Sequence, residues 1–380
     1  MRRALVPLVA LLVACQDRAP ESPTAEPPPF VAPPSTGAPG APALPTATAV
    51  ASAPAPFVPE KVWAEGKAMG THLAFAAYTS PTVDAAKARA AWADAIAEIQ
   101  RIEALMTTWR EDSEISKINA AAGKEPVVVG AETLQVIQES IHTSEISEGT
   151  FDITFETLHG LWKFDQDLDP HPPKDADLKA KVKLLGYKHI KVDPAKSTVF
   201  LDKAGVKISL GGIAKGYGVD KAVAVLEKAG LTSFFVQAGG DLFARGKKPD
   251  GSEWSAGIRD PRGTSEKYFA LIPLTDHSFS TAGDYERSYM VGTKRYHHII
   301  DPRTGYPAAA SRSVTVWAPT ALLADAIDDA VFILGPEKGL KLVESLEGVG
   351  AVIVDAKNKV WVSKRLEGKV KITGVPTDAP

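Results

Sequence analysis

The chain has 380 residues, in which 43 lysines and arginines nearly balance 46 aspartates and glutamates, for a formal net charge of −3. This balance gives no support to nucleic-acid binding, which needs a strongly basic surface. The single cysteine excludes a disulfide within the chain. Apart from an unusual N-terminal region, the length is typical of one large globular domain or two closely joined ones.

The N-terminus is typical of a secretory signal peptide. Arg2 and Arg3 precede an apolar run over residues 4–14, which is too short to span a membrane as a mature helix. The run ends in LVAC at residues 12–15, which resembles a bacterial lipobox. We expect residues 1–14 to be removed and Cys15 to carry the lipid that holds the protein on the periplasmic side of a bacterial membrane. An ordinary signal peptide with a chance cysteine is the alternative.

Residues 15–59 are predicted to be a disordered tether. After Cys15 they consist mostly of Pro, Ala, Thr, Ser and Gly, with little apolar surface to bury. Frequent proline keeps such a segment extended. The folded part is therefore expected at residues 60–377.

Apolar periodicity predicts both helices and strands in the folded part. Their irregular order favours an α+β fold over a doubly wound sheet. The predicted helices cover residues 83–105, 133–147, 214–229 and 321–334, and the predicted strands cover residues 206–210, 234–238, 268–274, 313–317 and 351–354.

A glycine-rich segment, VKISLGGIAKGYGVD at residues 206–220, is predicted to run strand, turn, helix. The free N–H groups at such a helix start, with Lys215, suit a phosphate, although the spacing matches neither the dinucleotide fingerprint nor the P-loop. A tight connection without a ligand is the alternative. Residues 234–245 predict a hairpin turning at Gly239 and Gly240, in which Asp241 either bonds its own turn or contacts a ligand.

Two histidines lie together in YHHIIDPRTGYP at residues 296–307, which predicts a short strand and an Asp-Pro turn. His297 and His298 would then point to opposite faces and could not bind one metal ion together. A single general base is the functional interpretation, and a structural histidine is the alternative.

Three carboxylates, Asp325, Asp328 and Asp329, lie at positions i, i+3 and i+4 of a predicted helix and share one face. Mg²⁺ commonly binds one or two carboxylates together with substrate phosphates, so this face is a candidate metal site. A solvated acidic face is the alternative.

The order and the sequences of these segments resemble those of the ApbE family. The resemblance implies a T-fold-related α+β domain and the activity of an Mg-dependent FAD:protein FMN transferase. Such an enzyme cleaves FAD, attaches FMN through a phosphoester to a Ser or Thr of a partner protein, and releases AMP. The matching segments are AMGT (68–71), MTTWREDSEI (106–115), GTFDI (149–153), LGGIAKGY (210–217), GGD (239–241), GDYER (283–287), HHIIDPRTGY (297–306), AD (324–325) and LGPE (334–337).

The resemblance also implies a role for individual residues. Either His297 or His298 would be the catalytic base. The implied magnesium ligands are Gly212, Asp325 and Asp329, with Asp328 adjacent. The implied FAD contacts are Met69, Trp109, Thr150, Phe151, Asp152, Ser209, Lys215 and Ile299.

Three positions depart from the family pattern: Ser209 replaces a common Asp, Asp329 replaces a Thr, and Trp109 replaces a frequent Tyr. The expected partners are extracytoplasmic domains of membrane electron-transport proteins. Because Asp329 could alter the metal geometry, an FAD pyrophosphatase that uses water as acceptor is one alternative. A flavin-binding lipoprotein without turnover is another.

Overall fold

The computed structural model describes residues 56–164 and 167–379. Residues 59–380 gather into one compact unit. The predicted signal peptide and nearly all of the predicted tether lie outside the described residues. Within the described part of the chain, no helix is long and apolar enough to cross a membrane.

The described residues form strands grouped into four sheets. In chain order the strands are β1 Lys61–Ala68, β2 Thr71–Tyr78, β3 Val127–Val128, β4 Ile190–Asp193, β5 Thr198–Leu201, β6 Phe234–Ala238, β7 Asp241–Arg245, β8 Trp254–Arg259, β9 Tyr268–Leu274, β10 His277–Gly283, β11 Ser288–Val291, β12 Lys294–His297, β13 Ser311–Ala318, β14 Gly350–Asp355, β15 Val360–Val362 and β16 Lys371–Ile372.

The largest sheet has eight strands in the order β1-β2-β6-β7-β10-β13-β14-β15, and every neighbouring pair is antiparallel. Strand β2 pairs with β6, which brings Leu73 opposite Ala238. The smaller sheets are β16-β9-β8, β3-β5-β4 and β11-β12.

The helices of the described residues are α1 Ala85–Met106, α2 Glu114–Ala120, α3 Ala131–Ile146, α4 Asp175–Val182, α5 Ala214–Lys228 and α6 Ala321–Ser345. Three of them pack against one face of the large sheet, through contacts of α1 with β1, α5 with β7, and α6 with β10 and β13. Helices α2 and α3 contact β5 and β4 of a smaller sheet.

Side chains alternate between the two faces of the large sheet along each strand, and both faces are covered. On β2, Leu73 and Phe75 join the core beneath α1 and α5. Ala74 and Ala76 point the other way and pack with residues of β8 and β9. A sheet buried on both sides fixes the turns at its ends, where the candidate site is built.

Helices α5 and α6 approach each other closely. A Cβ atom added at Gly216 would lie 2.2 Å from the carbonyl oxygen of Ala321, so only glycine fits there. One turn later, Asp220 accepts hydrogen bonds from the main-chain N–H groups of Ala321 and Leu322 at 2.8 and 2.9 Å. The carboxylate of α5 thereby satisfies the free donors at the start of α6, and the two helices are held in register.

The predicted helices are confirmed as α1, α3, α5 and α6. Helix α6 extends beyond the prediction, because Gly335 adopts φ 76° and the chain resumes helical geometry after this break at Pro336. The strands predicted at 234–238 and 268–274 are confirmed as β6 and β9, and those at 313–317 and 351–354 lie within β13 and β14.

The predicted strand at residues 206–210 is wrong, since this segment is not in any regular structure. Several of its main-chain groups bond to side chains, and Ser209 N–H donates to the Ile153 carbonyl at 2.9 Å, but none pairs with a neighbouring strand. The Asn119 amide accepts from Ile208 N–H and donates to Ile208 C=O, and the Thr157 hydroxyl accepts from Lys207 N–H. The alternating apolar pattern reflects burial of Val206, Ile208 and Leu210 without sheet pairing.

Candidate functional site

Four aspartates and one lysine meet where the β6–β7 turn, the start of α5 and the first turns of α6 come together. We refer to Asp241, Asp325, Asp328, Asp329 and Lys215 as the carboxylate cluster. The Lys215 ammonium lies 2.8 Å from Asp325 Oδ1 and 3.0 Å from Asp241 Oδ2. The other oxygen of Asp325 accepts a hydrogen bond of 2.8 Å from the main-chain N–H of Gly216. The start of α5 and Lys215, which were predicted to suit a phosphate, therefore bond to carboxylates in this structure.

Ser280 of β10 shows that one carboxyl of the cluster carries a proton. Its hydroxyl oxygen lies 2.7 Å from Asp241 and 2.6 Å from Asp328. A hydroxyl has one hydrogen to donate, so it cannot bond to two ionised carboxylates. Burial and the charges of Asp329 and Asp325 raise the pKa of Asp328 well above its usual value. The raised pKa favours the protonated form of Asp328, in which its carboxyl would donate to Ser280 and Ser280 would donate to Asp241.

Burial also raises the pKa values of the other two aspartates on α6, Asp325 and Asp329. Burial, reinforced by the charge of Asp241, raises the pKa of Asp325 to about 7, although Lys215 opposes the change. Burial raises the pKa of Asp329 to about 6 against the opposing charge of Lys215. The Lys215 pKa is raised, because its two carboxylate partners outweigh the effect of burial. Positive charge beyond that of Lys215 would favour the ionised forms of these acids.

The cluster fits a hard divalent cation. With Asp328 neutral, the other carboxylates and Lys215 leave two negative charges when ionised. No oxygen of Asp329 has a hydrogen-bond partner among the described residues. The main chain of Gly212 borders this carboxylate, since a Cβ added there would lie 3.2 Å from Asp329 Oδ2 and 3.5 Å from the Phe151 ring. In the described ranges no three His, Cys, Asp or Glu side chains could hold a metal unaided, so substrate oxygens would complete the coordination, as is usual for Mg²⁺.

The two histidines occupy different environments. His297 ends β12 and is buried, with its Nε2 donating to the Ala308 carbonyl at 2.8 Å and its Nδ1 accepting from the Ile299 N–H at 3.3 Å. His298 follows the strand, and its Nδ1 is buried without a hydrogen-bond partner. Burial, with smaller effects from Arg287 and other nearby positive charges including Lys215, lowers the pKa of His298 to about 3. His298 is thus a neutral imidazole with a free nitrogen, whereas His297 is fully engaged in structural bonds.

Comparison with known proteins gives this arrangement a family. The model described as the ApbE family matches residues 69–353. The chain belongs to the ApbE family. Among similar curated proteins, the FAD:protein FMN transferase of Treponema pallidum is 34% identical over 302 residues, which cover 76% of this chain and 83% of that protein. A protein of the same name from Klebsiella pneumoniae is 32% identical over 306 residues, covering 79% of this chain and 86% of its own.

Solved ApbE structures share the fold. The ApbE protein of Thermotoga maritima superimposes with a TM-score of 0.74 at 32% identity, over 82% of this chain and 99% of that one. The flavin transferase ApbE from Vibrio cholerae gives a TM-score of 0.72 at 28% identity, over 82% of this chain and 100% of that one. The expected ApbE-like α+β fold is confirmed.

Two of the predicted FAD contacts in this ApbE protein support the backbone of the site. Asp152 accepts hydrogen bonds from Thr154 N–H at 2.8 Å and Tyr187 N–H at 2.7 Å, which fixes the short 3₁₀ helix Ile153–Leu158. Thr150 donates its hydroxyl to the Ser147 carbonyl at 2.9 Å. With their side chains committed in this way, Thr150 and Asp152 orient Phe151 beside Gly212. Their contact with FAD stays a prediction.

The other predicted FAD contacts lie around the same loops. Met69 occupies the β1–β2 turn with φ 51°, and its side chain packs against Gly218 of α5. Trp109 is 82% exposed, so its ring is available for stacking. Ser209 accepts a hydrogen bond from Gly211 N–H at 3.3 Å in the loop before α5. Ile299 is buried beside His297, with its N–H donating to His297 Nδ1 and its carbonyl accepting from Ala308 N–H at 3.0 Å.

Two residues of the site were not predicted with a role. Asp241 was left open between a turn residue and a ligand contact, and its place beside Lys215 depends on the β6–β7 hairpin facing α5. Ser280 gave no signal, since serine on a strand is common and its partners lie 39 and 48 residues away. The GGD segment was the available sequence signal for Asp241.

Proposed function

We propose that the chain is an FAD:protein FMN transferase that uses Mg²⁺, transfers FMN to a Ser or Thr hydroxyl of a partner protein, and releases AMP. The observation that carries this proposal is the carboxylate cluster with two negative charges in excess. His298 is close enough for the charge of Lys215 to contribute to its lowered pKa. Its relatives named FAD:protein FMN transferase support the choice of substrate.

In the proposed reaction the acceptor oxygen forms a bond to the phosphorus of the FMN half of FAD. The bond from that phosphorus to the bridging pyrophosphate oxygen breaks, and AMP leaves with the electron pair. Gly212, Asp325 and Asp329 are the residues that would hold Mg²⁺, whose positive charge would offset the negative charge of the phosphates. The Lys215 ammonium lies beside Asp325 and adds a positive charge that can face a phosphate oxygen.

His298 is the proposed base for the acceptor hydroxyl. A free hydroxyl is a weak nucleophile, so removal of its proton during attack accelerates transfer. His298 is neutral and has an unpartnered nitrogen, as a base requires. Phosphate groups brought close by FAD would raise the pKa of His298 and make it a stronger base. His297 would hold the neighbouring backbone in place through Ala308.

We also propose that the protein works at the periplasmic side of a bacterial membrane, anchored through lipid on Cys15. The support is the sequence at residues 1–15, and the proline-rich stretch to residue 59 would let the folded unit reach acceptor domains of membrane electron-transport proteins. Mass spectrometry of the N-terminal peptide from expressed protein tests the anchor, since cleavage before Cys15 with acyl modification is expected. An unmodified Cys15 would contradict it.

The activity test incubates the purified chain with FAD, Mg²⁺ and a panel of candidate acceptor domains. Transfer is expected to leave a covalent flavin on an acceptor, visible as fluorescence in a denaturing gel, with AMP formed in equal amount. EDTA should abolish both signals, and an acceptor with its target hydroxyl residue replaced by Ala should stay unlabelled.

Two other outcomes contradict the proposal in different ways. Steady formation of FMN and AMP without an acceptor identifies a pyrophosphatase, the alternative suggested by the additional carboxylate of Asp329. Tight FAD binding with no AMP under any metal or acceptor identifies a flavin-binding protein without turnover.

A further inference from the structure

We infer that Asp241 is a positioning residue that shares Lys215 with Asp325, so that Asp325 can exchange the lysine ammonium for a metal ion. The inference rests on the proposed function only in placing a divalent cation at Asp325. Beyond the proposed function, it assigns a role to Asp241, whose negative charge acts through Lys215.

The contacts of Lys215 are nearly symmetrical. Its ammonium lies 2.8 Å from Asp325 on α6 and 3.0 Å from Asp241 on β7. A lysine ammonium is a compact charge with rotatable donors on a flexible stem, so it can transfer from one acceptor to the other by a small rotation. Lys215 therefore has two carboxylate partners at once and keeps one of them when its contact with the other is lost.

Asp241 is held much more firmly than the lysine. It is 1% exposed and begins β7 directly after the Gly239–Gly240 turn. Its Oδ1 accepts from the Ser280 hydroxyl at 2.7 Å, and Ser280 lies on β10, which pairs with β7 in the large sheet. Asp241 is consequently a fixed negative charge on the sheet, and it leaves the second oxygen for Lys215.

One oxygen of Asp325 bonds to Gly216 N–H, and the other bonds to Lys215. Each oxygen keeps a lone pair, but a metal ion on Asp325 would be repelled by the ammonium while that ammonium stays in contact. Without Asp241, release of the ammonium would leave the partly buried charge of Lys215 without a carboxylate partner, which is unfavourable. Asp241 removes this obstacle, because the ammonium stays paired at 3.0 Å when its bond to Asp325 is lost. The carboxylate of Asp241 thus lowers the energetic cost of loading Asp325.

The test is a double-mutant cycle on the affinity for Mn²⁺, a spin-active substitute for Mg²⁺, measured by electron paramagnetic resonance on the full chain with and without FAD. Asp241→Asn in the wild-type background is expected to lower the affinity about tenfold or more, because Lys215 then has Asp325 as its only carboxylate partner. In a Lys215→Met background the same change should lower it about threefold at most, through loss of one nearby charge.

Asp260→Asn is the matched control. Asp260 is also fully buried and lies 3.0 Å from a lysine, Lys267, but it follows β8 outside the carboxylate cluster. This variant should lose thermal stability without a change in Mn²⁺ affinity. If Asp241→Asn fails to fold, Ser280→Ala takes its place, since it removes the hydroxyl that fixes Asp241. Ser280→Ala is expected to weaken Mn²⁺ binding several-fold in the wild-type background only.

Equal effects of Asp241→Asn in the two backgrounds overturn the assignment while leaving the proposed transferase intact. A weakening by Asp260→Asn as large as that by Asp241→Asn also overturns it, because the effect would then be one of general stability. Absence of Mn²⁺ binding by the wild-type chain, even with FAD, overturns the proposed metal site and this assignment together.

Discussion

Replacing Gly216 with alanine tests whether the close contact between α5 and α6 holds the site together. The added methyl carbon would lie 2.2 Å from the Ala321 carbonyl oxygen and 2.6 Å from its carbon, and both are backbone atoms that cannot rotate away. It would also lie 2.8 Å from Asp325 Cβ. Ordinary contact begins near 3.4 Å, so the helices must separate by roughly 1 Å.

The size of the effect follows from three contributions. Overpacking costs about 1–3 kcal/mol. Weakening of the 2.8 Å bond from Gly216 N–H to the Asp325 carboxylate costs a further 1.5–3 kcal/mol or so. Alanine regains about 1 kcal/mol of helix propensity. The free energy of unfolding should fall by about 1.5–5 kcal/mol, which corresponds to a melting temperature lower by roughly 2–7 °C for a folded unit of this size.

Gly218→Ala is the control on the same helix. There the methyl would meet the end of the Met69 side chain at 3.1 Å, which can move aside. Its stability should stay within about 1 kcal/mol of the wild type, because the helix propensity gained offsets the tighter contact. Thermal unfolding followed by circular dichroism measures both variants. A melting temperature of Gly216→Ala equal to that of the wild type, or to that of Gly218→Ala, would refute the reasoning.

Three further predictions concern the site. His298→Asn should abolish FMN transfer with little change in FAD affinity or melting temperature. His297→Asn should instead lower the melting temperature, because it breaks the hydrogen bond to the Ala308 carbonyl. The opposite pattern in the two variants would reverse the assigned roles. Without metal, stability should fall as pH rises from 5 to 8, because the folded pKa values of Asp325 and Asp329, about 7 and about 6, exceed those of an unfolded chain and the folded state loses its extra protons in this range. Calorimetric scans in EDTA should show a shallower fall for Asp329→Asn, and an equal slope would contradict the prediction. Trp109→Ala should raise the KM for FAD while leaving the melting temperature unchanged, since the ring is 82% exposed.

Features that depend on local periodicity could be predicted from the sequence. Helix α5 repeats apolar residues at helical spacing, and its buried face follows that pattern. Helix α6 is rich in apolar residues and is buried on nearly all sides before Gly335. The i, i+3, i+4 spacing correctly brought Asp325, Asp328 and Asp329 together. The β6–β7 hairpin followed from its glycine turn, whose Gly239 has φ +60°.

Features that depend on residues distant in the sequence could not be predicted. The different environments of the two histidines depend on Ala308 and on the Phe332 ring, which contacts His297 edge-on with 5.5 Å between ring centroids. The alternating pattern at residues 206–210 looked like a strand, but Asn119 supplies hydrogen bonds that a neighbouring strand would otherwise give. The protonation of Asp328 depends on Ser280, whose position between two carboxyls no local pattern indicates.

The pairing of β2 with β6 has a consequence for how the molecule folds. Leu73 must meet Ala238, so the large sheet cannot close around its N-terminal strands until β6 is free to pair with β2. Contacts so far apart in sequence make folding slow. Lys215, Asp241 and the aspartates of α6 all belong to the later half of the chain. The carboxylate cluster therefore cannot form before this later half is available to fold.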